Sequence, residues 1–167
     1  MFNKKKLIKL EKEIEMLQVE NNYYKEKNKL LEQGIKMIDR KASTSIISNI
    51  FTVNDSIHAI FLVEKKFIFN NLEIEIYDVI AGELVTNIIA ELYSKEELHI
   101  SAINTKYKYQ NLGHASRGLQ FLVRYAKAIG VKYILGGLLV SDNMEYLYKF
   151  YVKNGFEVGK TSFEKYI

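Results

Sequence analysis

The sequence contains no cysteine, no proline and no tryptophan among its 167 residues. Without cysteine the chain can form no disulfide, bind no metal through a thiolate and use no cysteine nucleophile, which is typical of a reducing compartment. Without proline, its turns depend on glycine, asparagine and aspartate. No apolar run approaches the roughly 18 residues that a membrane-spanning helix needs, and the basic N-terminal stretch lacks the apolar core of a signal peptide. We therefore expect a cytoplasmic protein that does not enter a membrane.

The composition predicts one globular domain with an appendage, because 48% of the residues are hydrophobic and 26% are charged. The net charge of +4 is modest. Positive charge is concentrated near the N-terminus, in Lys4, Lys5, Lys6, Lys9 and Lys12. Such a cluster can bind nucleic acid or an acidic partner. The solvated end of a helix explains it better, so a nucleic-acid partner is not favoured.

The first 40 residues have the heptad pattern of a coiled coil. Mostly apolar residues alternate at the a and d positions of five unbroken heptads: Leu7, Leu10, Ile14, Leu17, Asn21, Tyr24, Asn28, Leu31, Ile35 and Ile38. The two asparagines occupy a positions, where side-chain amides can pair across the seam and fix its register. We interpret residues 1–40 as a coiled-coil oligomerisation helix and residues 41–167 as the globular domain.

The charges beside this seam favour a parallel homodimer through residues 7–38. Opposite charges face each other from g to the following e position in the pairs Lys6 with Glu11, Glu20 with Lys25 and Lys27 with Glu32. The remaining pair, Glu13 with Gln18, has no like charges. The alternative is that the helix folds back onto the globular domain of its own chain.

Periodicity and turn residues predict a series of strands in the globular domain. They lie at residues 57–63, 72–77, 84–92, 98–105 and 133–140, with a turn at residues 64–66. Residues 84–92 could instead be helical, because Leu84, Ile88 and Leu92 are four apart. Helices are expected at residues 115–129 and within residues 142–156. The polar residues 41–55 predict a connector or a short helix.

The spacing Gln110-x-x-Gly113-x-Ala115 joins a predicted strand to a predicted helix. A loop in this place can direct its backbone N–H groups and the positive end of the helix dipole at an anion. Gly113 allows close approach of a phosphate to the backbone, and the small Ala115 leaves room against the first helical turn. The pattern predicts a pyrophosphate-binding loop, although an ordinary strand-to-helix turn would also explain it.

Residues 98–158 resemble the core of the GNAT superfamily of N-acetyltransferases. The residues that carry the resemblance are Tyr109, Gln110, Gly113 and Ala115 in the loop, and Phe150, Tyr151, Lys153, Gly155 and Phe156 near the end. The resemblance implies an α+β (α/β) fold, with a mixed, mostly antiparallel sheet flanked by helices. It also implies acetyl-CoA as the cofactor.

The resemblance further implies which residues contact acetyl-CoA. Backbone amides around the loop would bind the pyrophosphate, and the preceding strand would border the pantetheine arm. The expected cofactor residues are Ile103, Asn104, Thr105, Gln110, Asn111, Leu112, Gly113, His114, Ala115, Ser116 and Asn143. Asn143 is explained equally well as a helix cap. Family members often have a cation beside the glycine, whereas this loop has none, so cofactor affinity is either weaker or dependent on Arg117.

Acetyl transfer requires a group that returns a proton to the leaving thiolate. The match to the family assigns this role to Tyr151, with Tyr148 as the second choice. A general base is less evident. His99 has a suitable ordinary pKa, although a half-buried strand histidine explains it better. Glu73 and Glu75 are other candidates for the base, but the solvated face of a strand explains them better. We predict no metal site from the histidines.

The family usually has two helices before the hairpin strands, where they enclose the acceptor, and residues 41–55 are too few for both. The resemblance implies an N-acetyltransferase. Without those helices the acceptor amine stays unknown, in a small molecule, a peptide or another acceptor. The alternative is a catalytically weak or inactive module of the same fold, which binds CoA and acts through protein interaction.

Overall fold

The computed structural model describes residues 2–42, 46–65, 71–138 and 143–167. Three helices lie in these ranges: α1 (Phe2–Ala42), α2 (His114–Ala128) and α3 (Met144–Lys153). Eight strands accompany them: β1 (Ile46–Val53), β2 (Ser56–Lys65), β3 (Asn71–Asp78), β4 (Glu83–Leu92), β5 (Glu97–Thr105), β6 (Tyr133–Gly137), β7 (Glu157–Val158) and β8 (Ser162–Tyr166). A short 3₁₀ helix, Tyr107–Tyr109, follows β5. No helix in the described part of the chain is long and apolar enough to cross a membrane.

All eight strands form one sheet, in the order β1-β2-β3-β4-β5-β6-β8-β7. Strands β5 and β6 pair in parallel, and every other neighbouring pair is antiparallel. The parallel pair is joined through α2, as a parallel connection requires. The predicted fold class, a mixed and mostly antiparallel sheet flanked by helices, is confirmed.

The prediction of a connector or short helix at residues 41–55 is wrong. Helix α1 continues to Ala42, and Ile46–Val53 forms the edge strand β1. This segment is rich in β-branched residues, which suit a pleated surface better than a helix. Asn54 and Asp55 join β1 to β2 with positive φ values of 46° and 64°, the two-residue hairpin geometry that these residue types tolerate. A tight turn therefore joins the first two strands directly, with no helix between them.

The other strand predictions are largely confirmed. Residues 84–92 form β4 rather than a helix, with Val85, Ile88 and Ala90 buried in the sheet. The turn expected at residues 64–66 falls too early, because β2 continues to Lys65, and residue 66 lies outside the described ranges. The end of the strand predicted at 133–140 also lies outside them. The terminal hairpin of β7 and β8 had no counterpart among the predicted strands.

Helix α2 covers one face of the sheet and forms the main core with it. Its side chains Leu119, Leu122 and Ala126 are fully buried and belong to one apolar cluster with residues of β2 to β6. Gly118 allows this close contact, because a Cβ atom there would lie 2.9 Å from the Cδ1 atom of Ile88. Burial of each of the two leucine side chains contributes about 1.5–3 kcal/mol, so this face makes a large contribution to the stability of the domain.

The last turns of α1 pack against the opposite face. Met37 and Ile38 contact a small cluster that includes Phe61 and Val79. Gly34 lies so close that a Cβ atom would be 2.3 Å from the carbonyl oxygen of Val79. The end of the helix therefore folds back onto its own domain, and Ile38, predicted to lie in the coiled-coil seam, is used there instead.

The N-terminal part of α1 extends away from the sheet with apolar side chains exposed. They include Ile8, Leu10, Ile14, Leu17 and Tyr24, all at least 47% exposed. Four of the five are a or d residues of the predicted heptads. The coiled coil itself stays a prediction.

Glu73 and Glu75 do not form a solvated face. Glu73 is 9% exposed and accepts a hydrogen bond from Asn87 Nδ2 at 3.2 Å. Glu75 forms an ion pair with Lys41 of α1 and has a side chain that is 12% exposed. The alternating pattern correctly placed both side chains on one face of β3, but Lys41 of α1 and Asn87 of β4 contact them there.

Candidate functional site

The site begins where β5 and β6 separate. Their parallel pairing joins residues 97–100 of β5 to residues 133–136 of β6 and then ends. The pairing of β4 with β5 also shifts, because Ile89 pairs with Ala102 while Ala90 pairs with Ile100, so Ser101 is an extra residue. Such a bulge bends a strand and increases its twist. The second half of β5 therefore borders an open slot in the sheet.

Two adjoining clefts occupy this slot and the loop beside it. The larger has a volume of about 580 Å³ and is bordered by the second half of β5, the end of β6 and helix α3. The smaller has a volume of about 300 Å³ and lies between residues 109–116 and α3. Both are lined by Thr105, Gln110, Ala115, Tyr146 and Phe150, so they form one continuous groove.

The loop has the backbone conformation of an anion cradle. Gly113 is the N-cap of α2 with a φ of 85°, and Asn111 has a φ of 62°, both in the left-handed region. Gln110 Nε2 donates to the Thr105 carbonyl at 3.3 Å and connects the loop to the end of β5. The space around Gly113 is open, since a Cβ atom there would meet nothing within 4 Å. Free N–H groups at the start of α2 can therefore reach an anion.

Most of the predicted cofactor residues meet in this groove. Nine of the eleven line one cleft or both: Ile103, Asn104, Thr105, Gln110, Asn111, Gly113, His114, Ala115 and Ser116. Leu112 is 37% exposed and lines neither. Asn143 also lies apart, because its Oδ1 accepts the Tyr146 N–H at 3.2 Å and caps α3. Asn143 thus has the capping role that was the alternative.

Helix α3 supplies three lining residues that the sequence analysis missed. Tyr146, Lys149 and Lys153 line the smaller cleft together with Phe150. The Tyr146 O–H donates to Asn111 Oδ1 at 3.3 Å and joins the helix to the loop. Their spacing of i, i+3, i+4 and i+7 marks one face of a helix, which was a usable signal. What the sequence lacked was the direction in which that face points.

Tyr151 lies at the larger cleft, whereas Tyr148 does not. Tyr151 is 6% exposed, and its ring stacks on Phe163 with centroids 3.7 Å apart. Phe150 and Phe156 contact it edge to face. Tyr148 is 52% exposed and lines neither cleft. The structure therefore brings the first choice of proton donor to the groove in a fixed orientation.

His99 is not brought to the groove. Its ring stacks on Tyr93 with centroids 4.9 Å apart, and its Nε2 lies 4.0 Å from a carboxylate oxygen of Glu97. It lines neither cleft. The bulge at Ser101 changes the alternation between His99 and the part of β5 that borders the slot, so the sequence could not reveal this placement.

A pair of buried imidazoles lies beneath the loop. His58 and His114 are each 1% exposed, with ring centroids 4.5 Å apart, and the Nε2 atom of neither ring has a hydrogen-bond partner among the described residues. Burial lowers the pKa of His58, and the nearby Asp78 carboxylate partly offsets this lowering. Burial also lowers the pKa of His114, and the neighbouring His58 acts in the same direction. Neutral rings therefore support the loop from below.

Acidic and phenolic groups surround this pair. The Tyr109 O–H donates to Glu83 at 2.7 Å and to Asp78 at 3.1 Å, and burial together with these acceptors raises the pKa of Tyr109. Hydrogen bonds from Lys106, Lys108 and Tyr109 lower the pKa of Glu83 to about 2. In the described ranges, no group of three or more histidine, aspartate and glutamate side chains is arranged to hold a metal ion.

Comparisons with known proteins indicate one family and its fold. The sequence profile of the acetyltransferase (GNAT) family matches residues 43–156. The fold is similar to the GNAT domain of PAT from S. lividans, with a TM-score of 0.53 and 15% identity over 63% of this chain and 65% of that one. It is also similar to the PaiA N-acetyltransferase from Thermoplasma acidophilum in complex with coenzyme A, with a TM-score of 0.51 and 17% identity over 58% and 61%.

At these identities the structural likeness shows the fold alone, and the matches span less than two thirds of either relative. A comparison with curated proteins finds no match.

The buried imidazole pair predicts a specific pH dependence of stability. Because burial lowers both histidine pKa values below the value near 6.5 of the unfolded chain, the unfolded state binds more protons as the pH falls. We expect the free energy of unfolding to decrease between pH 7.5 and 5.5, by at most about 1.4 kcal/mol per pH unit for each histidine. Urea denaturation at several pH values measures this slope. The double variant His58→Asn/His114→Asn should have a flatter slope, and an unchanged slope would contradict the assignment.

Proposed function

The chain belongs to the acetyltransferase (GNAT) family, and from this premise we propose that it binds acetyl-CoA and transfers the acetyl group to an amine. The observation that carries the proposal is the slot between β5 and β6, which leads directly to the N-terminus of α2. An extended thioester arm ending in a diphosphate fits such a path. Within the described residues, β5 and β6 do not pair beyond Ile100 and Gly136, and the first N–H groups of α2 lie at the end of the slot.

The cofactor would be held mainly by backbone. The strand residues Ile103, Asn104 and Thr105 border the larger cleft and can pair with the amides of the pantetheine arm. The loop around Gly113 would hold the diphosphate. The PaiA enzyme, whose fold is similar, was crystallised with coenzyme A, which supports the choice of ligand. Bound acetyl-CoA supplies the acetyl group as an activated thioester.

Tyr151 is the proposed proton donor to the leaving thiolate. A free thiol has an ordinary pKa near 8.5, so a phenol close to the sulfur can return the proton as the thioester bond breaks. Tyr151 lies on the larger cleft, and the stack with Phe163 holds its ring in place. His99 is a weaker proposal for the base, because its ring packs on Tyr93 outside the groove.

The acceptor is proposed only as an amine, in a small molecule, a peptide or another molecule. The family usually has two helices between its first strands, and here the two-residue turn at Asn54 and Asp55 replaces them. This observation also favours the second candidate function, a module that binds CoA and contacts other proteins without useful catalysis. The cytoplasmic location expected from the sequence stays a prediction.

We further propose that α1 forms a parallel homodimer. The exposed apolar residues at the a and d positions have no cover in the single chain, and a second α1 would bury them. Opposite charges flank the predicted seam, and Asn21 and Asn28 can fix its register. Because Ile38 packs against the sheet, the seam should be shorter than the predicted range of residues 7–38.

The cofactor loop can be tested with a charge placed in the cradle. Gly113→Glu should abolish acetyl-CoA binding measured by calorimetry, because its carboxylate would repel the diphosphate. Gly113→Ala is the matched control, since it imposes the same unfavourable positive φ without the charge and also meets no neighbour within 4 Å. The control should bind more weakly than the wild type but measurably. Wild-type affinity in Gly113→Glu would remove the proposed phosphate site.

The chemical role of Tyr151 can be separated from binding. Tyr151→Phe should leave acetyl-CoA affinity nearly unchanged and lower kcat for thiol release with an active amine by about 100- to 10,000-fold. Tyr148→Phe removes the same atom from an exposed helix position and should have little effect. If Tyr148→Phe is the damaging change, the assignment of the donor is wrong. If no amine supports thiol release by the wild type, the binding-module function is the better account.

The dimer can be tested in the full chain. Ile14→Glu/Leu17→Glu places two carboxylates in the predicted seam, and light scattering should then show a monomer where the wild type is a dimer. Met16→Glu/Val19→Glu is the control, because these residues lie on the outer face of the same turns and are already 73% and 66% exposed. A monomeric wild type at micromolar concentration would exclude the dimer.

A further inference from the structure

We propose that Lys149 and Lys153 of α3 provide the positive charge that holds the cofactor diphosphate, in place of a cation in the loop. This inference rests on the proposed function, because it names the charged residues of that same site. It also differs from both alternatives that the sequence left open, a weaker cofactor affinity or an affinity dependent on Arg117. The other cations near the loop contact different groups, whereas these two lysines line the smaller cleft.

The cations nearest to the loop in sequence are directed elsewhere. Lys106 and Lys108 both form ion pairs with Glu83, which is on the β4 side of the loop. The guanidinium of Arg117 lies over the ring of Phe51, 4.6 Å from its centroid. None of these three cations lines the smaller cleft.

His114 lines that cleft but does not supply charge. Its ring is buried beside His58, and its Nδ1 lies 3.3 Å from the carbonyl oxygen of Tyr109. A second imidazole at 4.5 Å makes a charged ring costly in this place. The loop therefore contributes backbone N–H groups and no cationic side chain.

Helix α3 places two lysines across the cleft from the loop. Lys149 and Lys153 are four residues apart, so they lie on one face of the helix and both border the smaller cleft. Tyr146 on the same face bonds to Asn111 and holds this face against the loop. A diphosphate at the start of α2 would thus lie between N–H groups on one side and two ammonium groups on the other.

Both lysines can turn toward a phosphate at little cost. Lys149 pairs with Glu145 at 2.6 Å, but the two side chains are 72% and 77% exposed. An exposed pair at this helical spacing changes an equilibrium by only about twofold, whereas a charge-assisted bond to phosphate is worth about tenfold or more. Lys153 has no ion pair with a carboxylate in the described part of the chain. The phosphate therefore wins the competition for both side chains.

The test is a calorimetric titration of coenzyme A into the full-length wild type and three variants. In Lys149→Ala/Lys153→Ala we expect affinity to fall by about 10- to 100-fold, because two charge-assisted contacts are lost. Lys149→Arg/Lys153→Arg keeps the charge and should bind within about threefold of the wild type. Lys160→Ala removes one charge from an exposed lysine that lines neither cleft, so it should change affinity by less than about twofold.

Salt dependence gives a second readout. Raising the salt concentration should weaken coenzyme A binding to the wild type and should affect the double alanine variant less, since the screened charges are gone. If the wild type binds coenzyme A and the double alanine variant binds equally well, the role of the two lysines is wrong while the proposed function stands. If the wild type does not bind coenzyme A at all, the proposed function and this inference are both overturned.

Discussion

The candidate groove depends on one constraint, the end of the pairing between β5 and β6 after four residues of each strand. Where the strands separate, backbone groups that a continuous sheet would use are left for a ligand. Two local features accompany the separation. Ser101 is an extra residue in β5, and Gly136 in β6 leaves room for the ring of Phe163, whose Cζ would lie 2.1 Å from a Cβ atom there. Phe163 in turn stacks on Tyr151, so the sheet sets the position of the proposed proton donor.

In the proposed function, the two sides of the groove bind the diphosphate in different ways. The loop offers backbone N–H groups, supported from below by the neutral and buried His58 and His114. Helix α3 offers side chains, among them Lys149, and the bond from Tyr146 to Asn111 joins the two sides. The residues that support the loop and the residues that supply positive charge are thus in separate parts of the structure. A change in the buried pair should act on folding, whereas a change in the lysines should act on ligand affinity.

Helix α1 has two parts with different surroundings. Gly34 lets its C-terminal turns approach Val79 closely, and Lys41 pairs with Glu75 on the face of the sheet away from α2. The N-terminal part lies beyond these contacts and exposes a stripe of apolar side chains. Exposing such a stripe to water is unfavourable for an isolated helix. The two interpretations from sequence, a coiled-coil helix and a helix that folds back onto its own domain, are therefore compatible. The C-terminal turns fold back, and the rest remains available for the proposed dimer.

The sequence by itself determined the features that depend on neighbours along the chain. Alternation predicted β3, β4 and β5, and the spacing of Gln110, Gly113 and Ala115 predicted a loop at a helix start, because strand faces and helix caps are set within a few residues. Tertiary structure alone decided which residues meet across the groove. The pairing register, the bulge at Ser101 and the direction of α3 brought Lys149 and Tyr151 to the site and left His99 and Asn143 outside it. Those outcomes depend on contacts between distant segments, whose geometry no local pattern contains.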